Sequence, residues 1–153
     1  TGAPDKATKE PTMPNLYSTR VTATGGRRGT ISSEDGMLAL SLALPKELGG
    51  AGGATNPEQL FAGGYAACFE NALLRVARQS GHRFADRDVV VVAEIGLSRN
   101  DDDAFVLHAN LAITIAGVDQ ATADDLVRGA DAICPYSNAI RGNVDVGLSV
   151  TAS

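Results

Sequence analysis

The chain has 153 residues, of which 44% are hydrophobic and 20% charged, a composition typical of one globular domain with a sizeable core. Its net charge of −5 argues against a nucleic-acid partner, because phosphate binding requires a basic face. No apolar run approaches the roughly 20 residues that span a bilayer, and the N-terminus has no hydrophobic signal core. We therefore expect a cytoplasmic protein without a membrane role. In that compartment a disulfide between two cysteines is more often transient and catalytic than structural.

The predicted elements run in the order βββ-α-ββ-α-β, an α+β arrangement that lacks the βαβ alternation of a doubly wound fold. Residues 1–14 combine three prolines with small and charged residues, which predicts a flexible tail before a single domain over 15–153. The third strand alternates well enough to be half-buried. Strands are expected over 16–24, 29–33, 37–44, 89–97, 104–116 and 144–150, and helices over 57–79 and 119–133.

The first helix has strong boundary signals and an unusual composition. Asn56 is a good N-cap, Pro57 suits the first helical position, and Gln59 can close a capping box. The first half is apolar or tiny on every side, which predicts a helix that is buried all round. Gly63 and Gly64 each cost about 1 kcal/mol relative to alanine inside a helix, and such a cost indicates close approach by another backbone.

The two cysteines lie in settings unlike ordinary core filler. Cys68 lies in the first helix, and Cys134 precedes Pro135, so that it can occupy the N-cap of a short helix. There its sulfur would face free backbone N–H groups, which lower the pKa of a thiol. Both positions also fit a structural role, Cys68 as core and Cys134 as a helix-ending turn. No lysine or arginine precedes Cys68 within its helix, so an activating cation must come from elsewhere in the fold.

A metal centre is the competing use of two cysteines. Zinc requires four ligands at characteristic spacing, and only His82 and His108 are available besides the thiols. Neither histidine lies at ligand spacing from a cysteine or from the other histidine. The glycine-rich segment 49–53 lacks the ending of a phosphate loop. The sequence thus predicts neither a metal nor a cofactor.

Two charged residues have alternative interpretations. Arg27 follows Gly25 and Gly26, which permit either a solvated side chain or one that folds back onto a thiolate. Glu58 lies in the first helical turn, where it can interact with the helix dipole. If it is buried beside Arg27, it can instead hold that side chain in place. The residues alone leave both interpretations open.

Two long motifs, each with its cysteine in place, resemble those of the organic hydroperoxide resistance proteins, the Ohr branch of the OsmC-like peroxidases. The segments are TNPEQLFA over 55–62, GYAACF over 64–69 and CPYSN over 134–138, with supporting matches over 16–27, 45–50 and 141–146. The similarity covers residues 16–150. Ile140 and Glu70 depart from the family pattern, and we expect Glu70 to point outward.

The resemblance implies a thiol-dependent peroxidase that protects against organic hydroperoxides. Cys68 would attack the hydroperoxide and become a sulfenic acid, and Cys134 would resolve it as an intramolecular disulfide. A dithiol reductant, thought to be a lipoylated protein in this family, would reduce that disulfide. Arg27 would stabilise the Cys68 thiolate, with Glu58 orienting the arginine. The implied fold is an OsmC-like intertwined homodimer, in which antiparallel β-sheets wrap a central buried helix and the active sites lie at the interface.

Helix geometry separates Glu58 from Cys68. The interval from residue 58 to residue 68 corresponds to roughly 15 Å of rise and about 80° around the axis of a continuous helix. We therefore predict that Arg27 and Glu58 complete a site whose cysteines belong to the other subunit. An apolar channel that favours alkyl or fatty-acid hydroperoxides is also predicted, and its lining residues are Leu48, Leu60, Phe61, Tyr65 and Phe69.

Two rival functions remain open on the sequence. The sister OsmC branch would use the same chemistry with a different reductant preference, although the NPEQ and CPYSN segments favour Ohr. A non-catalytic module that carries a lipid in an apolar dimer cleft would leave both thiols unreacted after exposure to a hydroperoxide.

Overall fold

The computed structural model of the chain describes residues 13–153. The chain divides into two compact units. The first ends at Ala54, and the second runs from Thr55 to Ser153. The predicted tail over 1–14 lies outside the described residues apart from its last two positions. The single domain over 15–153 stays a prediction.

The first unit contains the three predicted strands, which form a small antiparallel sheet in the order β1-β2-β3. β1 spans Val21–Thr24, β2 spans Thr30–Ser33 and β3 spans Ala39–Ser41. Gly29 has to be glycine, because a Cβ at this position would overlap the Thr24 carbonyl oxygen. The half-burial predicted for the segment 37–44 is confirmed in most of its alternate residues: Leu38 and Leu44 are half-buried and Leu42 is buried, whereas Leu40, within β3, is 38% exposed.

The long helix α1 spans Pro57–Gln79 and matches the prediction at both ends. The Asn56 side chain accepts a hydrogen bond of 2.9 Å from the Gln59 N–H, which confirms Asn56 as the N-cap. The predicted capping box is wrong, because the Gln59 carboxamide oxygen accepts from the Thr55 hydroxyl at 2.7 Å instead of from the N-cap backbone. The cap and the proline therefore start the helix without the reciprocal bond.

Two further helices follow in direct succession. α2 spans Gln120–Ile133, and the Asp119 carboxylate caps it by accepting from the Thr122 N–H at 2.8 Å. α3 spans Pro135–Ile140. The sequence predicts a short helix that begins at Pro135, although the predicted element order leaves it out. The observed order, apart from short 3-10 turns, is βββ-α-ββ-α-α-β.

The sheet of the second unit is mixed. β4 spans Val89–Arg99 and β5 spans Phe105–Ile115, and the two pair as an antiparallel hairpin. β6 spans Val146–Ala152 and pairs parallel to β5. The expectation of wholly antiparallel sheets is therefore wrong. The physical reason for the parallel pairing is the crossover formed by α2 and α3, because parallel strands require such a connection.

One face of α1 packs on β4 and α2 and forms the core of the second unit. On the opposite face, Gln59, Gly63, Ala67 and Asn71 are exposed at four-residue spacing. The predicted burial of this helix on every side, wrapped by sheets, is therefore wrong for the single chain. No helix within residues 13–153 is long and apolar enough to cross a membrane. The largest completely buried side chains are Tyr65, Phe69, Leu73, Leu111, Ile113, Ile115 and Cys134.

Candidate active site

The fold brings the two cysteines together. Cys68 lies in the middle of α1, and Cys134 lies between α2 and α3. The Cys134 thiol donates to the Cys68 sulfur across 3.8 Å, and both cysteines are free. Cys134 has no exposed surface, whereas Cys68 is half-buried. Because a disulfide bond is about 2.05 Å long, the sulfurs have to approach by about 1.8 Å to form one.

Local backbone geometry fixes Cys134 at the junction of two helices. Its N–H donates to the Ala130 carbonyl at 2.8 Å, and its own carbonyl accepts from the Asn138 N–H at 3.0 Å. Pro135 has no N–H and disfavours a helical residue before it, so α2 ends and α3 begins at this point. The N-cap position predicted for Cys134 is confirmed.

The sulfur that benefits from the start of α3 is not the one that the sequence predicts. The Cys134 side chain makes no capping hydrogen bond to α3. The first free N–H, that of Tyr136, hydrogen-bonds the Cys68 sulfur instead. The prediction that the Cys134 sulfur faces this N–H is therefore wrong, because the side chain turns toward α1.

Burial raises the pKa of the Cys68 thiol above its ordinary value. The hydrogen bond from the Tyr136 N–H lowers this pKa, and the neighbouring Cys134 raises it further. Two thiolates 3.8 Å apart would repel each other, so ionisation of one sulfur disfavours ionisation of the other. The groups around Cys68 together leave it less ionised at neutral pH than an exposed thiol.

A buried pair of hydroxyls connects the two helices that carry the thiols. Tyr65 and Ser137 share a hydrogen bond of 2.7 Å, and each residue lies three positions from a cysteine. Within residues 13–153, Ser137 is the only hydrophilic side chain in the buried core. Burial raises the pKa of Tyr65, and the bond to Ser137 opposes that rise only in part. Burial therefore keeps the Tyr65 phenol neutral at neutral pH, because its pKa lies above the ordinary value.

Tyr136 packs its ring across α1. Its ring centroid lies 6.1 Å from that of Phe61 and 5.9 Å from that of Tyr65. A Cβ at Gly64 would lie 2.7 Å from the Tyr136 hydroxyl oxygen, closer than van der Waals contact allows. The close approach predicted at Gly64 is thus present, although the approaching group is a side chain and not a backbone. At Gly63 a Cβ would meet nothing within 4 Å in this chain.

Arg141 joins the end of α3 to α2. Its guanidinium donates to the Asp131 carbonyl at 2.7 Å and to the Asp131 carboxylate at 3.3 Å. It also donates to the Asn138 side chain. These bonds are partly exposed, so their main effect is geometric: they fix how α3 leaves α2 after Cys134.

An open groove of about 400 Å³ reaches Cys68. Part of its wall is apolar and is formed by Ala72, Ile133 and Pro135. The remaining lining residues are Asn71, Arg75 and Gln79. Sequence reasoning missed this groove. The sequence signal that could have found it is Ile133, a large apolar residue directly before Cys134. In the structure this side chain is 44% exposed.

The predicted channel residues have different environments. Tyr65 and Phe69 have no exposed surface, so in the single chain they belong to the core and do not line an open channel. Leu60 and Phe61 are half-buried on α1, and Leu48 is exposed in the first unit. A channel formed by these residues stays a prediction.

The predicted charged pair is divided between the two units. Arg27 lies in a short 3-10 turn, Gly26–Arg28, of the first unit, and Glu58 lies in the first turn of α1. Both residues are half-buried, and neither side chain lacks a partner. Their predicted catalytic roles stay predictions. No group of three or more His, Cys, Asp or Glu side chains among residues 13–153 is arranged to hold a metal ion.

The α+β fold places two free thiols next to each other, one accessible and one buried. This arrangement is that of a dithiol protein. The family model described as "OsmC-like protein" matches residues 50–149. The chain is 46% identical to the organic hydroperoxide resistance protein of Xanthomonas axonopodis pv. citri over 88% of this chain and 94% of that one. It is 41% identical to organic hydroperoxide resistance protein OhrB of Bacillus subtilis over 88% of this chain and 98% of that one.

Solved structures agree with these relatives. An organic hydroperoxide resistance protein from Legionella pneumophila superimposes with a TM-score of 0.86 and 51% identity, covering 90% of this chain and 99% of that one. The OhrB structure of Bacillus subtilis gives a TM-score of 0.81 and 39% identity, with coverage of 90% and 100%. The chain belongs to the OsmC family and, within it, to the organic hydroperoxide resistance proteins.

Proposed function

We propose that the chain is a thiol-dependent peroxidase that reduces organic hydroperoxides to alcohols and so protects against them. The observation that carries this proposal is the 3.8 Å separation of two free thiols. The Cys68 sulfur attacks the terminal oxygen of ROOH, the O–O bond breaks, and Cys68–SOH and ROH form. The Cys134 sulfur then displaces the hydroxyl group, so that the disulfide and water form. Two thiols and one ROOH thus give one disulfide, one ROH and one water.

The exposure of the two sulfurs supports this division of roles. Cys68 lines the open groove, so a hydroperoxide can reach it directly. Cys134 has no exposed surface and contacts solvent only after rearrangement. Cys68 is therefore the attacking thiol, and Cys134 is the resolving thiol.

The attack on the hydroperoxide requires a cation. The thiolate is the nucleophile, and burial raises the pKa of Cys68. We assign the cation to Arg27, oriented by Glu58, with both residues supplied by a second copy of the chain. The continuity of α1 supports this assignment, because residues 58 and 68 of an unbroken helix are separated by roughly 15 Å of rise.

The homodimer that this assignment requires is supported by the surface of the first unit. Leu16 is 97% exposed, Met37 is 88% exposed and Tyr17 is 78% exposed. Leu16 and Tyr17 precede β1 and Met37 lies between β2 and β3, so large apolar side chains beside this small sheet are left in solvent. Packing against a second copy would bury them.

Mixed dimers test whether the arginine acts across the interface. A Cys68→Ser chain retains Arg27, and an Arg27→Gln chain retains Cys68, so neither homodimer has a complete site. If Arg27 acts on the other copy, a heterodimer of the two chains has one complete site and recovers up to half of the wild-type activity per dimer. If Arg27 acts within its own chain, the mixture stays as inactive as the separate variants, and the assignment to a second copy is wrong.

The proposed substrate is an alkyl or fatty-acid hydroperoxide. The apolar groove wall formed by Ala72, Ile133 and Pro135 supports an apolar R group beside the Cys68 sulfur. Steady-state assays with cumene hydroperoxide and hydrogen peroxide test this preference. Equal kcat/KM values for the two oxidants would contradict it.

The proposed reductant is a small dithiol, such as a lipoyl group on a carrier protein. Thiol–disulfide exchange has to begin at Cys68, because the Cys134 sulfur is buried. A dithiol then releases itself from the mixed disulfide through its second thiol, which acts at high effective concentration. A cytoplasmic location, which is part of this proposal, keeps such dithiols reduced. Turnover with dihydrolipoamide should exceed turnover with glutathione at equal thiol concentration, and the reverse order would contradict a lipoyl donor.

Thiol titration tests the proposal as a whole. The chain has two cysteines, so the loss of both thiols after one equivalent of cumene hydroperoxide reports disulfide formation directly. Cys68→Ser should keep its single thiol, whereas Cys134→Ser should be oxidised once at Cys68 and then stall. Retention of both thiols in the wild-type protein would favour a non-catalytic lipid carrier.

A further inference from the structure

The hydrogen bond between Tyr65 and Ser137 occupies a distinctive position relative to the thiols. Tyr65 precedes Cys68 by three residues on α1, about one helical turn. Ser137 follows Cys134 by three residues on α3, again about one turn. The 2.7 Å bond between them therefore links α1 to α3 one turn away from the 3.8 Å contact of the two sulfurs.

We propose that Tyr65 and Ser137 are a positioning pair for the resolving step, which holds α3 against α1 so that Cys134 can reach the oxidised Cys68. This inference rests on the proposed peroxidase function. Neither residue contacts the hydroperoxide in this proposal. Both act through the position of the Cys134 sulfur.

The resolving step depends on geometry more than the first oxidation does. The sulfurs have to close by about 1.8 Å to form the disulfide, and the Cys134 sulfur has to attack in line with the bond from Cys68 to its hydroxyl oxygen. The first oxidation depends less on the position of α3, because the Cys68 sulfur that attacks the hydroperoxide lies on α1 and Arg27, the proposed cation, lies on neither α1 nor α3. Loss of the bond between the helices should therefore slow the second step selectively.

Burial makes this bond effective as a tie between the helices. Tyr65 has no exposed surface, and Ser137 is 3% exposed, so water does not compete for either hydroxyl. The phenol stays neutral because burial raises its pKa. Arg141 ties the far end of α3 to α2, so the Tyr65–Ser137 bond is the link between α1 and α3 that does not involve the reacting sulfurs themselves.

A slow resolving step has a chemical consequence that can be measured. Cys68–SOH either reacts with Cys134–SH to give the disulfide and water, or with a second ROOH to give Cys68–SO₂H and ROH. The first path is intramolecular, and the second is proportional to the hydroperoxide concentration. The concentration that inactivates half of the protein therefore reports the rate of resolution relative to over-oxidation.

The test compares the full-length Tyr65→Phe and Ser137→Ala variants and their double variant with wild type. Intact-mass spectrometry gives the fractions of disulfide and of sulfinic acid, with cumene hydroperoxide as the oxidant. We expect the half-inactivating concentration to fall about tenfold in each single variant, as the loss of one buried hydrogen bond predicts. The double variant should be no more sensitive than the single variants, because all three lack the same bond.

Two comparisons separate positioning from a general structural effect. The rate of the first oxidation, measured in the Cys134→Ser background, should change by less than about twofold when Ser137→Ala is added, because Cys68 lies on α1 and Ser137 is not among the residues that line its groove. Ser98→Ala removes another serine hydrogen bond, the 2.8 Å contact with His108, and should leave the half-inactivating concentration at the wild-type value.

Three outcomes would overturn the inference. They are unchanged sensitivity in both single variants, additive effects in the double variant, or an equal loss in both chemical steps. If Tyr65→Phe does not fold, Ser137→Ala alone decides the question. If wild-type protein forms no disulfide with cumene hydroperoxide, the proposed function has failed. A wild-type protein that forms the disulfide, together with insensitive variants, contradicts only the positioning role.

Discussion

Gly64→Ala tests whether the Tyr136 ring sets the distance between the thiols. The added Cβ would lie 2.7 Å from the Tyr136 hydroxyl oxygen and 3.1 Å from the two nearest ring carbons. An ordinary contact begins at 3.4 Å, so the ring has to retreat by about 0.7 Å. Tyr136 is the second residue of α3, and Cys134 directly precedes that helix. We expect a ring that has to retreat to carry α3 with it and so to displace Cys134, the proposed resolving thiol.

The expected magnitudes come from two opposing effects. Alanine improves helix propensity by about 1 kcal/mol relative to glycine, whereas overpacking costs about 1–3 kcal/mol. The free energy of unfolding should therefore fall by about 0–2 kcal/mol, a small change. The rate of disulfide formation should fall by about tenfold, because a displacement of 1 Å in reacting groups can cost up to about a hundredfold.

Rapid quench after one equivalent of cumene hydroperoxide, followed by thiol titration, measures that rate, and urea unfolding measures stability. Tyr136→Phe in the Gly64→Ala background removes the atom at 2.7 Å and leaves the closest remaining contacts at 3.1 Å, so it should recover part of the rate. Gly64→Ala protein that forms the disulfide at the wild-type rate and is more stable than wild type would refute the reasoning. In that case the ring would not constrain α3.

Three further predictions concern stability and ionisation. Leu73→Ala should lower the free energy of unfolding by about 2–5 kcal/mol in urea titrations, because Leu73 is completely buried; a loss below about 1 kcal/mol would contradict its place in the core. Asn56→Ala should cost about 1 kcal/mol by the same measurement, and Asn56→Asp, which keeps the capping oxygen, should retain most of that stability. Bimane labelling of Cys68 in a Cys134→Ser background should accelerate as pH rises, since a raised pKa leaves the thiol protonated at neutral pH. Adding Arg27→Gln should move the midpoint to higher pH, and an unchanged midpoint would contradict an activating arginine.

The parts of the fold that depend on short-range signals could be predicted from the sequence. Asn56 and Pro57 marked the start of α1, and Pro135 marked the boundary at Cys134. Each signal acts within one helical turn, where capping and the missing proline N–H determine the conformation. The two motifs that carry Cys68 and Cys134 were identified by their resemblance to a known family and not by these signals.

The parts that depend on distant contacts could not be predicted in this way. The parallel pairing of β6 with β5 is a choice between two strand directions that the alternation of β6 does not encode. The Tyr65–Ser137 bond joins residues that are 72 positions apart, and each has an ordinary local context. The approach at Gly64 was visible as a costly glycine, but the ring that requires it lies on another helix. Full burial of α1 was predicted from its apolar composition. Composition does not reveal how many of the layers that cover a helix come from its own chain.

Because of the crossover between β5 and β6, the two thiols reach their folded positions at different times during synthesis. Cys68 lies in a helix whose capping and periodicity are local, so it can form early. Cys134 lies in the connection between β5 and β6, and its position is fixed only when the last strand pairs. Chains emerge from the ribosome N-terminus first, so β6 becomes available after β5, α2 and α3. With the roles proposed above, a newly made chain would position Cys68 before Cys134, and for that interval it would be open to over-oxidation at Cys68.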